Sequence, residues 1–102
     1  MQRMALVVAL AGLSVPAFAT EGIAMWGCAP EGQRRSVLYL ADRGSRSYVK
    51  LGDQRVAAQI TMTGDERAWT FGHTSVVLQA DGSADYIEGG AVKSHFTCKL
   101  MN

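Results

Sequence analysis

From Glu21 onward, apolar and polar residues alternate in short runs with a period of two, which is the pattern of half-buried β-strands. No stretch in this part of the chain carries an apolar stripe at helical spacing that is long enough for a helix. Breaks that contain glycine or aspartate separate the runs at regular intervals. The pattern predicts eight strands, approximately Gly22 to Cys28, Arg35 to Ala41, Arg46 to Leu51, Gln54 to Thr61, Glu66 to Phe71, Thr74 to Gln79, Ser83 to Glu88 and Ala91 to Cys98.

The alternation is clearest in the last of these strands, and it predicts which face points inward. The expected core face carries Val92, Ser94, Phe96 and Cys98. Short connections favour antiparallel pairing of neighbours as a meander, and eight strands can close into a small barrel whose interior is filled by side chains. The expected fold is therefore an all-β, eight-stranded antiparallel barrel, with an open two-layer sheet as the alternative.

The first 19 residues differ from the rest, because 14 of them are apolar. A short basic start around Arg3 is followed by an apolar run from Ala5 to Leu13, and Ala17-Phe18-Ala19 has the small-x-small pattern of a signal peptidase site. Ser14 and Pro16 interrupt the run, which is shorter than the roughly 20 residues of a membrane span. We therefore expect residues 1–19 to be a cleaved signal peptide and residues 20–102 to be a single periplasmic domain without a membrane anchor.

Once the signal is removed, the domain has nine basic and nine acidic side chains and is formally neutral. It contains no run of lysine or arginine, so its sequence gives little support to binding of nucleic acid or of an anionic membrane. At 83 residues, the domain is also too small for a dinucleotide-binding fold.

The two cysteines, Cys28 and Cys98, both lie in the predicted exported domain. An oxidising compartment favours a disulfide between them, which would tie the first strand to the last. A metal site or a reactive thiol is the alternative, but neither cysteine has a C-x-x-C partner or a clustered histidine nearby.

The sequence offers no arrangement typical of catalysis. His73 and His95 lack a metal-ligand spacing, and Asp81-Gly82-Ser83-Ala84-Asp85 fits a hairpin turn better than a calcium loop. No G-x-S-x-G elbow or phosphate-binding glycine loop is present. We therefore predict a protein that is not an enzyme and that needs no metal and no cofactor.

The segment from Thr61 to Trp69 is better suited to recognition. It concentrates hydroxyls, charges, an arginine and a tryptophan between two strands, and Arg and Trp are frequent at binding hot spots. The alternative is that Trp69 belongs to the core and Arg67 is merely solvated.

Together, these features resemble the membrane-bound and periplasmic inhibitors of c-type lysozyme, which are small bacterial eight-stranded antiparallel β-barrels. The resemblance covers most of the exported domain. It rests on the aromatic-flanked cysteine in Met25-Trp26-Gly27-Cys28, on the late cysteine in Phe96-Thr97-Cys98-Lys99-Leu100, and on Thr61-Met62-Thr63-Gly64 followed by Arg67 and Trp69. The last segment is similar to the family's Ser-x-Ser-Gly-x-Arg-Tyr loop.

The resemblance implies that this loop enters the lysozyme cleft, where a hydroxyl and a lysine from a later segment bind the catalytic carboxylates. Thr61, Thr63, Gly64, Arg67 and Trp69 would then contact the partner, with Thr63 in the place of the inserted serine. The chain departs from the family at Asp65 and Glu66, which add negative charge to the loop. It also departs at Val77 to Gly82, which holds no lysine.

Two functions are therefore expected from the sequence. The first is inhibition of c-type lysozyme by occlusion of its cleft. The second is a periplasmic binding or structural module that keeps the barrel and recognises a different partner. Neither requires chemistry by the protein itself, and the oligomeric state does not follow from either.

Overall fold

The computed structural model describes residues 24–101, and these residues form antiparallel strands joined by short turns. A short 3-10 turn, Gly44–Arg46, lies between the second and third strands. Within this range, no helix has the length and apolar character needed to cross a bilayer. The predicted signal peptide lies outside the described residues. The strands are β1 Ala24–Pro30, β2 Leu38–Asp42, β3 Tyr48–Leu51, β4 Gln54–Ala57, β5 Gln59–Thr63, β6 Glu66–Phe71, β7 Thr74–Leu78, β8 Ser83–Glu88 and β9 Ala91–Leu100.

The strands form one antiparallel sheet in the order β4-β3-β2-β1-β9-β8-β7-β6-β5. Chain neighbours other than β4 and β5 pair as hairpins, and β1 pairs with β9. The sheet edges are therefore β4 and β5, which are consecutive in the chain, and the sheet curls into a nearly closed barrel. The predicted all-β antiparallel barrel is confirmed.

Within residues 24–101, the predicted number of eight strands is corrected to nine because the expected strand from Gln54 to Thr61 is divided at Ala58. Its first part pairs with β3 and its second part with β6, so the chain bends between the two ladders. At the bend, Ala58 N–H donates to the Ser47 carbonyl at 3.0 Å, and the small Ala58 side chain is buried. A larger side chain would have less room inside this bend.

The core fills the barrel interior with inward residues from both halves. Leu38, Leu40 and Val49 come from β2 and β3, and Trp69 and Val76 come from β6 and β7. Each belongs to the inward phase of its strand, as alternation requires. The pattern of apolar positions therefore specifies the core directly.

One expectation about the last strand is wrong. The pairing of β9 with β8 shifts between Val92 and Ser94, so Lys93 is an additional residue in the ladder. Such a bulge reverses the phase of the residues before it. Phe96 and Cys98 face inward as predicted, but Val92 lies opposite Ile87 and is 49% exposed.

The expected disulfide joins Cys28 to Cys98 across 70 residues of chain. The two cysteines lie directly opposite each other on β1 and β9, and both are buried. The bond therefore fastens the first described strand to the last at the middle of their ladder.

Candidate functional site

The segment singled out in the sequence forms the β5–β6 hairpin, which consists of β5, the Gly64-Asp65 turn and β6. Thr61, Met62 and Thr63 are exposed, as are the turn residues and Glu66. Gly64 has φ +60°, a left-handed conformation that glycine adopts at no steric cost and that tight hairpin turns require. The sequence therefore builds a short, exposed tip on an edge strand.

The ladder of this hairpin divides the predicted contact residues between its two faces. Thr63 pairs with Glu66, Met62 with Arg67, and Ile60 with Trp69. Since side chains alternate along a strand, Thr61 and Thr63 lie on the outer face, whereas Arg67 and Trp69 lie on the inner one. The structure thus brings the two hydroxyls together and separates them from the arginine and the tryptophan.

Arg67 is bound within the chain. Its Nη1 lies 2.7 Å from Oδ2 of Asp42, at the end of β2, and its guanidinium carbon lies 4.8 Å from the centroid of the Trp26 ring. The Arg67 and Asp42 side chains are only 26% and 19% exposed. The arginine consequently holds the hairpin to β1 and β2 close to its tip, and a partner could use its charge fully only by competing with Asp42.

The expectation that Trp69 contacts a partner is corrected by its burial. Its side chain is fully buried, its indole Nε1 donates to the Ala41 carbonyl at 2.9 Å, and its ring meets Trp26 edge to face at 5.7 Å. Trp69 therefore belongs to the core, which is the alternative interpretation of the sequence. Alternation along β6 places Arg67 on the same face as Trp69 and Phe71, and this shared face is the sequence signal that Arg67 points inward. The partners of Arg67 and Trp69 on β1 and β2 are far away in the sequence, so the pattern does not reveal these contacts.

The β7–β8 turn, residues 79–82, lies at the same end of the barrel as the hairpin tip. Leu78, which precedes the turn, pairs with Arg67, which closely follows the tip. The resemblance stated from the sequence expects the counterpart of the family's lysine in this segment. The turn carries Gln79 and Asp81 and no cationic side chain.

Asp81 organises that turn. Its Oδ1 accepts hydrogen bonds from Ser83 N–H at 2.9 Å and from Ser83 Oγ at 2.6 Å. The hydroxyl and amide donors of Ser83 hold the pKa of the Asp81 carboxyl below its ordinary value. The predicted hairpin turn at this position is confirmed, and the carboxylate serves the turn itself.

In the part of the chain that the structure describes, no three His, Cys, Asp or Glu side chains converge in a way that could hold a metal ion. His95 lies on the outer face of β9, where its Nδ1 is 2.7 Å from Oδ1 of Asp85. Its ring is 61% exposed. The pair is a surface contact between neighbouring strands.

The geometry identifies an exposed hairpin tip, a neighbouring turn and an internal anchor formed by Arg67, Asp42 and Trp26. The hairpin tip and the neighbouring turn are therefore the candidate functional site. Comparison of the chain with protein-family models, with curated proteins and with solved structures gives no significant match.

Proposed function

We propose that residues 20–102 form an exported inhibitor of c-type lysozyme, which blocks the active-site cleft by inserting the β5–β6 hairpin. The observation that carries the proposal is the pair of hydroxyls, Thr61 and Thr63, on one exposed face of a narrow hairpin. The disulfide-linked antiparallel barrel and the adjacent β7–β8 turn are further points of similarity to the inhibitor family.

The spacing of the hydroxyls suits a pair of carboxylates. Residues two apart in a strand are separated by about 7 Å, and the carboxyl groups of a retaining glycosidase lie roughly 5 to 5.5 Å apart. Thr61 and Thr63 could each donate to one carboxylate, because rotation of the two side chains makes up the difference. Hydroxyl-to-carboxylate hydrogen bonds are charge-assisted and strong where water is excluded. Inhibition would need no chemical step, since the inserted strand pair fills the space required by substrate.

Arg67 contributes indirectly in this scheme. Its contacts with Asp42 and Trp26 hold the hairpin directly behind its tip, so less conformational freedom is lost when the tip binds. The threonines are therefore the direct contacts, and Arg67 is a positioning residue.

A lysozyme lysis assay tests the proposal directly. The purified exported domain is titrated into suspensions of cell walls with several c-type lysozymes, and inhibition is expected. Thr63→Ala should weaken it roughly tenfold or more, since a hydrogen bond to a charged group contributes about 1.5–3 kcal/mol. Thr97→Ala is the matched control, because Thr97 is exposed on β9, which pairs with β1 and β8 and not with the hairpin. Absence of inhibition at large molar excess would refute the proposal.

The exposed carboxylates of Asp65 and Glu66 favour a second candidate, a binding module whose partner presents cations to the hairpin. At about 4 Å, each carboxylate would repel a catalytic carboxylate by roughly 1 kcal/mol even in water. The double variant Asp65→Asn/Glu66→Gln separates the two candidates. It should strengthen lysozyme inhibition under the first, and it should weaken capture of the partner from periplasmic extract under the second.

A further inference from the structure

The neutral domain has an uneven distribution of charge that its total conceals. Residues 24–57 carry six basic and three acidic side chains, whereas residues 58–101 carry three basic and five acidic ones. Four of the basic residues in the first part, Arg43, Arg46, Lys50 and Arg55, belong to β3, β4 and the turn before them. The positive charge of the domain is therefore concentrated in the segment from Arg43 to Arg55.

Three of these arginines line one cleft. It has a volume of about 360 Å³ and lies where the 3-10 turn meets the start of β3 and the end of β4, with Arg43, Arg46 and Arg55 around it and the hydroxyl of Ser45 at its side. None of its lining residues is acidic. Among residues 24–101, the ion pairs found are Arg67 with Asp42 and His95 with Asp85, so none of the three arginines has a carboxylate partner there.

The walls of the cleft are held in place. Ser47 is 2% exposed. Its Oγ accepts from Arg43 N–H at 2.8 Å and donates to the Gly44 carbonyl at 2.7 Å, which fixes the turn that carries Arg43 and Arg46. On the opposite wall, the Arg55 guanidinium stacks 4.1 Å above the centroid of the buried Tyr48 ring. Stacking leaves the edge of a guanidinium free to donate hydrogen bonds.

The positive charges of this region repel one another, which destabilises the folded domain. Arg55 lies directly opposite Lys50 in the β3–β4 ladder, and like charges in that position destabilise a sheet. Arg43 and Arg46 add further positive charge before the start of β3, where they line the same cleft as Arg55. An anion in the cleft would relieve this repulsion and would satisfy several donors at once.

We propose that this cleft is a binding site for a tetrahedral oxyanion, namely a phosphate monoester or a sulfate group. Such a group offers three or more acceptor oxygens and up to two negative charges, which match several forked guanidinium donors better than the two oxygens of a carboxylate do. The group could belong to a soluble ligand or to a lipid headgroup. The cleft does not include Thr61, Thr63 or the hairpin tip, so the site is independent of lysozyme inhibition.

Titration of the exported domain with inorganic phosphate and with sulfate, followed by NMR at constant ionic strength in sodium chloride, tests the site. Saturable shifts are expected at the arginine Nε–Hε groups of Arg43, Arg46 and Arg55. Arg46→Gln should weaken binding roughly tenfold or more, since one charge-assisted hydrogen bond is removed. Arg34→Gln removes an exposed charge outside the cleft and should leave the affinity unchanged.

The pH dependence provides a second readout. Inorganic phosphate gains a proton and loses one negative charge as the pH falls from about 7.5 to 5, so its binding should weaken, whereas sulfate stays a dianion and its binding should stay constant. Both anions should raise the melting temperature of the wild-type domain more than that of Arg46→Gln. Shifts that do not saturate, or equal affinities for Arg46→Gln and the wild type, would overturn the proposal.

Vesicles distinguish the two sources of the group. Phosphatidylcholine vesicles with and without phosphatidic acid are sedimented with the domain, in parallel with the phosphate titration. Arg46-dependent binding to the acidic vesicles assigns the cleft to a lipid headgroup. Saturable phosphate binding without vesicle binding assigns it to a soluble ligand.

Discussion

The two halves of the barrel meet at two seams that differ in how they are held. At the first seam, β1 and β9 form a ladder from Phe96 opposite Pro30 to Leu100 opposite Trp26, with the disulfide between its ends. At the second seam, β4 and β5 lie at the two edges of the sheet. There the halves are joined by the chain at Ala58 and by side chains, chiefly Trp69 and Arg67.

The difference shows how a small barrel can combine stability with an accessible edge. A covalent bond at the first seam limits the freedom of the unfolded chain, so the second seam does not need a continuous ladder. Segments with fewer backbone hydrogen bonds open locally at lower cost. The exposed β5–β6 hairpin belongs to this second seam, which places the candidate binding element where the sheet is least constrained.

The largest change in the free energy of unfolding is expected from substitutions at the first seam. The double variant Cys28→Ala/Cys98→Ala should lower the free energy of unfolding by about 4 kcal/mol, since the lost constraint closes a loop of 70 residues. Urea denaturation of the oxidised wild type and of the variant measures the difference. The reduced wild type is the control and should match the variant. A change of less than about 1 kcal/mol would mean that the ladder alone holds this seam.

A smaller change in the free energy of unfolding is expected from Trp69→Phe at the second seam. The smaller ring leaves space in the core, and the buried Ala41 carbonyl loses its indole donor. Together, these losses should lower the free energy of unfolding by about 2 kcal/mol. Phe71→Leu is a matched control, because Phe71 packs at the edge of the same core and has no polar atom in its side chain. An unchanged stability for Trp69→Phe would show that the seam does not depend on this hydrogen bond.

Much of the fold could be predicted from the sequence because its signals are local. Alternation predicts the strands, glycine-containing dipeptides predict the turns, and two cysteines in a chain with an expected export signal predict their bond. The additional residue at Lys93 and the bend at Ala58 leave no local signal, since each arises from pairing with a neighbouring strand. The pattern of apolar residues fixes the phase of a strand but does not show where pairing shifts.

Less of the candidate site could be predicted from the sequence, because its contacts also join residues that are far apart along the chain. Thr61, Thr63 and Gly64 were recognised from a short segment, and their exposure follows from the turn they flank. The contact of Arg67 with Asp42 joins residues 25 positions apart. The basic cleft collects arginines from a turn and from β4, so its charge cannot be read from a composition that is neutral overall.

The smallest effect is expected at the β7–β8 turn, which adjoins the first seam through the hydrogen bond from Cys98 N–H to the Gly82 carbonyl at 2.7 Å. Hydrogen bonds from Ser83 lower the pKa of Asp81 below the 3.8 ordinary for an aspartate. A lowered folded-state pKa stabilises the protein above the unfolded value, and this contribution disappears as the pH falls through the folded value. The stability difference between the wild type and Asp81→Asn should therefore shrink as the pH falls below about 3.8.

NMR titration of the Asp81 carboxyl carbon measures this pKa directly, and Ser83→Ala provides the comparison. Loss of the Ser83 hydroxyl removes the largest cause of the shift, so the Asp81 pKa should rise toward its ordinary value while the backbone hydrogen bond from residue 83 persists. Because the turn is exposed, the accompanying change in stability should be much smaller than that caused by breaking the disulfide. An Asp81 pKa that is the same in Ser83→Ala and in the wild type would show that the hydroxyl does not hold the turn, and that the ladder and the disulfide alone maintain this side of the barrel.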